Sequence, residues 1–112
     1  MKAFGFVVLF VALALSLAYL PITVQAQNAT AGKEVYSKKC QSCHGADGSG
    51  NPAMAKAFKV ELKPLGSAEV QKKSDAEIKK DITDGIGKMK PVTGLAGSDL
   101  DNVVAHVRTF KK

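Results

Sequence analysis

The 112-residue chain contains only two cysteines, and both lie within the short segment from Cys40 to Cys43. Cysteines so close together cannot join distant parts of the chain, which excludes a framework of disulfides. Long apolar runs are also scarce, since only one is present, from Ala3 to Leu20. With no second apolar stretch, a polytopic membrane protein is excluded as well.

Aromatic residues are few, at 6% of the chain, although the chain is basic, with a formal net charge of +6. The lysines are interleaved with acidic residues, as in the segment from Lys72 to Glu77. This pattern lacks the clustered cations of a nucleic-acid interface. A positive surface instead favours encounter with acidic protein surfaces, and these are the partners we expect.

The single apolar run is typical of an export signal. Lys2 precedes the run, and Val24–Gln25–Ala26 place small residues where signal peptidase requires them. We therefore predict that residues 1–26 are a signal peptide, cleaved before Gln27, and that the protein is exported to the periplasm. A retained membrane anchor is the alternative, because an apolar run of 18 residues approaches the length that spans a bilayer.

Removing 26 residues from 112 leaves 86, and the loss of Lys2 lowers the formal net charge from +6 to +5. An apolar core of this size gives only modest stability, so the predicted domain, residues 27–112, is expected to gain core volume from a cofactor.

No segment shows the alternation of a β-strand, and the predicted fold class is all-α, with three or four helices joined by long loops. The first helix is expected from Ala31 to about Cys40. The capping box Ser74–Asp75–Ala76–Glu77 predicts a second helix, which Gly85 ends, with one or two helical turns before it. The last helix is expected to start at Ser98, with an apolar face formed by Leu100, Val103, Val104 and Val107. Segments 45–52 and 85–97 are predicted to be loops, and segment 56–66 to be irregular.

The segment Cys40–Gln41–Ser42–Cys43–His44 has the C-x-x-C-H spacing of covalent haem attachment. Two thiols at this spacing can add to the two vinyl groups of one haem, and His44 can then supply an imidazole nitrogen to the iron. A thioredoxin-like cysteine pair is disfavoured because no βαβ pattern accompanies it. A zinc site is disfavoured because only His106 remains as a further ligand. The sequence therefore predicts one covalent haem c.

The ligand on the opposite side of the iron decides the function, since an open position suits ligand binding or peroxide chemistry and two protein ligands suit electron transfer. Met89 is the favoured candidate, because the glycine-rich segment 85–91 can wrap the opposite haem face. Met54 follows His44 too closely and is interpreted as a core residue. His106 lies off the apolar face of the last helix and is interpreted as a partly exposed helix-contact residue.

Taken together, these features resemble the class I cytochromes c, in particular the short bacterial and algal members. The resemblance covers Gly32-x-x-x-Tyr36, Cys40 to Gly45, the middle helix from Ser74 to Ile78, the methionine loop, and the last helix from Leu100 to Arg108. It implies that the first and last helices cross with the glycine at the contact.

The resemblance also implies site residues. Met89 occupies the position of the sixth ligand, and the carbonyl of Pro52 is the nearest match for the acceptor of the second N–H of His44. Two positions depart from the family pattern: Lys90 separates Met89 from proline, and His106 stands where the family usually has an aromatic residue.

We therefore expect a monomeric one-electron carrier, not an enzyme, that serves a donor reductase and an acceptor oxidase or reductase. The alternatives are a haem sensor or peroxidase with an open sixth position, and a membrane-tethered cytochrome subunit of a respiratory complex. Four lysines could surround the exposed haem edge, although a solvated surface charge is an equally good interpretation for each: Lys38, Lys39, Lys88 and Lys90.

Overall fold

The computed structural model describes residues 28–112, so the predicted signal peptide, residues 1–26, lies outside the described residues. Six helices follow one another in this part of the chain: α1 (Ala29–Lys39), α2 (Gln41–His44), α3 (Pro52–Phe58), α4 (Ala68–Gln71), α5 (Asp75–Asp84) and α6 (Gly97–Arg108). No strand is present among residues 28–112, apart from one isolated bridge between Ile86 and Met89. The predicted all-α class is confirmed.

Helix α1 begins at an asparagine cap and packs along α6. The side-chain oxygen of Asn28 accepts hydrogen bonds from the amides of Thr30 and Ala31, at 3.0 and 3.1 Å. These bonds satisfy amides that have no partner within the first turn of a helix. Gly32 is buried where α1 meets α6, as expected for a glycine at the contact between the first and last helices.

The capping box predicted for α5 is present. The Ser74 hydroxyl accepts a hydrogen bond from the Glu77 amide at 3.1 Å, and the Glu77 carboxylate accepts one from the Ser74 amide at 2.7 Å. The helix ends at Gly85, whose φ of 78° lies in the left-handed region that glycine adopts readily. The expected helical turn before α5 is also present, as α4.

The core is formed by residues of α1, α5 and α6. The apolar face predicted for α6 packs into the interior, and six apolar residues are buried together: Tyr36, Ile78, Ile82, Val103, Val104 and Val107. Partly buried apolar residues from the loops, among them Cys40, Leu65, Met89 and Leu95, pack against this cluster. Within the described residues, no helix is both long enough and apolar enough to cross a membrane.

Four parts of the secondary-structure prediction differ from the structure. Residues 28–112 contain six helices where three or four were expected, and α1 spans Ala29–Lys39 where a helix from Ala31 to about Cys40 was expected. Residues 52–58 form helix α3, although Pro52 was expected to end a loop and residues 56–58 to be irregular. The side chain of Asn51 caps this helix by accepting from the Ala53 amide at 3.0 Å, and proline suits the first helical position because its missing N–H would have no partner there. Helix α6 begins at Gly97 rather than Ser98, since the Asp99 carboxylate accepts from the Ala96 amide at 3.0 Å.

Candidate haem-binding site

The residues of the C-x-x-C-H segment lie on a single helical turn. Its main-chain hydrogen bonds continue the pattern of α1. The Cys40 amide donates to the Tyr36 carbonyl at 2.9 Å, and the His44 amide donates to the Cys40 carbonyl at 3.0 Å. Positions i, i+3 and i+4 of a helix share one face. Cys40, Cys43 and His44 therefore project from the same side of this turn, and all three are half-buried.

The loop after this turn holds its main chain in place. The carbonyl of Ser42 accepts from the side-chain amide of Asn51 at 3.0 Å, and the carbonyl of Cys43 accepts from the Asn51 main-chain amide at 2.8 Å. The carbonyl of His44 accepts from the Gly50 amide at 2.7 Å. The loop thus folds back on the turn, and its Asn51 and Gly50 donate hydrogen bonds to three consecutive carbonyls of the turn.

Gly45 is held from two sides. Its carbonyl accepts from the Tyr36 hydroxyl at 2.6 Å and from the Gly48 amide at 3.2 Å. Burial of the phenol, with further contributions from Cys40 and Asp47, raises the pKa of Tyr36 to about 12. The hydroxyl therefore remains a hydrogen-bond donor throughout the physiological pH range.

Burial also shifts the pKa values of two side chains in the turn, Cys40 and His44. It raises the pKa of the Cys40 thiol to about 11, with a smaller contribution from Cys43, and it lowers the pKa of His44. Both cysteines are free, so no disulfide joins them. A neutral imidazole has a nitrogen lone pair available to a metal. At neutral pH the turn thus presents two free cysteines and a neutral imidazole on one face.

The hydrogen bond predicted from His44 to the carbonyl of Pro52 is not found. The Nδ1 atom of His44 is buried and has no hydrogen-bond partner among the described residues. Pro52 is instead the first residue of α3, where its carbonyl faces along the helix as an acceptor for later amides. The support of His44 by Pro52 therefore stays a prediction.

Met89 lies in a tight turn between α5 and α6, and several hydrogen bonds hold this turn in place. The main chains of Ile86 and Met89 exchange two hydrogen bonds, at 3.1 and 2.9 Å. The Lys88 ammonium donates to the Phe58 carbonyl at the end of α3, at 2.8 Å, and the Val92 amide donates to the Ile82 carbonyl at 2.8 Å. Met89 itself is partly buried and packs against the core.

The other two candidates for the sixth ligand are placed differently. Met54 is a half-buried residue of α3. His106 is 9% exposed, and its ring meets Tyr36 and Phe110 edge to face, with centroids 5.0 and 4.9 Å away. The expectation of a partly exposed His106 off the apolar face was wrong, because the aromatic rings of α1 and of the C-terminal segment enclose it.

Sequence reasoning missed Asn51, the hydroxyl of Tyr36 and the amide of Gly50 as supports of the turn. An asparagine directly before a proline is a signal for a helix cap, and it could have located Asn51. No local signal identifies the Tyr36–Gly45 bond, because it depends on how α1 and α2 meet.

The donor set fits a covalently attached haem. Two free cysteines and one imidazole share the face of a single turn, and the buried Nδ1 of His44 without a partner shows that this ring is enclosed. A family model described as cytochrome c oxidase, cbb3-type, subunit III matches residues 27–107. The chain therefore belongs to the cytochrome c family, and it is an electron-transfer protein with covalently bound haem c.

Individual relatives agree with this assignment. The chain is 42% identical to cytochrome c-553 of Desulfomicrobium norvegicum over 84 residues, which cover 70% of this chain and 95% of that protein. It is 33% identical to cytochrome c-554(547) of Halothiobacillus neapolitanus over 94 residues, covering 77% of this chain and all of the relative. The solved structure described as KustC0563 c-type cytochrome superimposes with a TM-score of 0.61 at 30% identity, covering 72% of this chain and 98% of that one.

Proposed function

We propose that this chain is a periplasmic one-electron carrier whose haem is attached through Cys40 and Cys43 and ligated by His44 and Met89. The observation that best supports the proposal is the shared face of Cys40, Cys43 and His44 on one turn whose carbonyls are bonded by the following loop. Such a constrained turn holds three side chains in the relative positions that covalent attachment requires.

Each residue has a separate role in this proposal. Cys40 and Cys43 form the two thioether links, and His44 donates the lone pair of a neutral imidazole to the iron. Met89 supplies a thioether sulfur from a loop that is tied to α3 and α5. The haem, when bound, supplies a centre that accepts and releases one electron, and two protein ligands leave its iron no open position.

Helices α1, α5 and α6 contribute the apolar surroundings. Tyr36 and the valines of α6 are buried, and they exclude water from the interior against which Cys40 and Met89 pack. A methionine ligand and a dry environment both favour the reduced form of the iron, so we expect a comparatively high reduction potential.

The test is the visible absorption spectrum of the exported protein, oxidised and reduced, for wild type, Met89→Ala and Met54→Ala. We expect the weak band of iron–sulfur ligation in the oxidised wild type, its loss in Met89→Ala and its persistence in Met54→Ala. Loss of the band in Met54→Ala alone would assign the ligand to Met54. If the wild type has no such band and its reduced iron binds carbon monoxide at once, the haem sensor or peroxidase is the correct function.

The distribution of charge supports acidic redox proteins as partners. Among residues 28–112, four cations form ion pairs with carboxylates: Lys63 with Glu69, Lys73 with Asp81, Lys79 with Asp101 and Arg108 with Asp75. Lysines near the turn and the Met89 loop form no ion pair with a described residue: Lys38, Lys39, Lys56, Lys59, Lys88 and Lys90. These unpaired lysines can attract an acidic partner.

A second candidate function is a cytochrome subunit tethered to a respiratory complex. The observation that favours it is the description of the matching family model, a subunit of a cbb3-type oxidase. The two candidates differ in whether residues 1–26 persist. The mass of the protein in the periplasmic and membrane fractions distinguishes them. A periplasmic chain that begins at Gln27 supports the free carrier, and a full-length chain found only in the membrane fraction supports the subunit.

A further inference from the structure

Tyr36 forms a direct hydrogen bond to the carbonyl of Gly45, the residue that follows His44. The side chain is 1% exposed, and its hydroxyl donates to the carbonyl of Gly45 at 2.6 Å. The Gly45 carbonyl belongs to the residue that ends the turn, with a φ of 78°. A partly buried bond of this length restrains the main chain one residue beyond His44.

The position of the hydroxyl is in turn determined by two rings from the C-terminal part of the chain. The centroids of His106 and Phe110 lie 5.0 and 5.3 Å from that of Tyr36, and all three pairs of rings meet edge to face. Edge-to-face contacts restrict how an aromatic ring can rotate and shift. Tyr36 is therefore held from α6 as well as from its own helix.

Phe110 also packs against Gly48, whose amide is the second hydrogen-bond donor to the Gly45 carbonyl. A β-carbon placed on Gly48 would lie 2.8 Å from the Cδ2 atom of Phe110, so this ring contacts the backbone of Gly48 closely. The Gly48 amide is the other donor to the Gly45 carbonyl, at 3.2 Å. Both hydrogen bonds to Gly45 thus depend on the packing of the same aromatic cluster.

We propose that the Tyr36 hydroxyl is a positioning group that fixes the Gly45 peptide and thereby the orientation of the His44 imidazole, with His106 and Phe110 holding the phenol in place. This inference rests on the proposed role of His44 as an iron ligand. The contact between the first and last helices then determines the geometry of the iron ligand as well as the stability of the fold.

The test compares haem-loaded wild type, Tyr36→Phe and Ser74→Ala. The phenylalanine variant keeps the ring and removes only the hydroxyl. Ser74→Ala removes the cap of α5 and serves as a control that lowers stability without touching Gly45. The readouts are the electron paramagnetic resonance g-values of the oxidised iron, which report ligand orientation, and hydrogen exchange of the Gly48 amide.

We expect shifted g-values in Tyr36→Phe and about fivefold to tenfold faster exchange at Gly48, the change that corresponds to the loss of one hydrogen bond. Ser74→Ala should keep wild-type g-values. If Tyr36→Phe also keeps them, or if Ser74→Ala shifts them equally, the role of Tyr36 is structural only and the inference is wrong.

This failure is distinguishable from a failure of the proposed function. A wild-type spectrum without histidine and methionine ligation would overturn the function itself, whatever the variants show. A wild type with both ligands and a Tyr36→Phe variant with unchanged g-values would overturn the positioning role alone.

Discussion

Gly32 of α1 and Asn102 of α6 are in main-chain contact. A β-carbon built on Gly32 would lie 1.8 Å from the carbonyl oxygen of Asn102, far inside van der Waals distance. The side-chain oxygen of Asn102 also accepts a hydrogen bond from the Asn28 amide at 2.9 Å. The two helices therefore approach closely over the first turn of α1, and only glycine allows this approach.

Gly32→Ala should lower the free energy of unfolding by about 3 kcal/mol, because the added methyl group forces the two backbones apart. Gly97→Ala is the matched control, since a β-carbon at Gly97 meets no atom within 4 Å. That variant should leave stability unchanged or raise it by up to about 1 kcal/mol. Denaturant titration of both haem-loaded variants measures the difference, and equal effects would contradict the close contact.

His106→Phe should remove a pH-dependent loss of stability. Burial, with a smaller contribution from Lys33, lowers the pKa of His106 below its ordinary value of 6.5. Above pH 6.5 the residue is neutral in both states and its contribution is complete. As the pH falls below 6.5 the unfolded chain binds a proton more readily than the folded one, so stability declines until the folded-state pKa is passed.

The measurement for His106 is the free energy of unfolding of wild type and His106→Phe at several values between pH 5 and pH 7.5. The phenylalanine keeps an aromatic ring between Tyr36 and Phe110 but does not titrate. The wild type should lose stability relative to the variant as the pH falls. Parallel curves would show that His106 does not titrate differently in the folded and unfolded states.

Arg108→Gln should lower stability by about 2 kcal/mol, since the guanidinium donates to three acceptors between the end of α4 and the start of α5. These are the carbonyls of Gln71 and Lys73, at 2.8 and 2.6 Å, and the Asp75 carboxylate at 2.8 Å. Lys111→Gln removes the same charge from a residue that forms no ion pair within residues 28–112. Thermal unfolding should separate the two variants, and similar melting temperatures would refute the role of Arg108.

Lys56→Gln and Lys59→Gln should slow electron transfer to an acidic redox protein roughly twofold to fivefold at low salt, and the effect should vanish at high salt. Lys63→Gln changes the net charge equally, but Lys63 already pairs with Glu69 at 2.6 Å. Its effect should be smaller. Stopped-flow rates over a range of ionic strength provide the measurement. An equal effect of all three variants would show that net charge, and no particular surface, controls the encounter.

Local patterns in the sequence determined much of the fold. The spacing of Cys40, Cys43 and His44 predicted a segment for covalent haem attachment. Ser74 with Glu77 predicted the start of α5. Capping and helical periodicity depend on residues three or four positions apart, so they can be recognised in the sequence without knowledge of the tertiary structure. The short helix α3 was missed, because seven residues contain too little periodicity to distinguish a helix from a loop.

The supports of the candidate site were decided by tertiary structure. Arg108 reaches residues 33 to 37 positions away in sequence, and His106 is buried only because Tyr36 and Phe110 meet around it. The sequence alone determined which residues offer thiol, imidazole and thioether groups. The packing of α1 against α6 determined which other residues hold them, since contacts between distant segments follow from burial and shape and have no local signature.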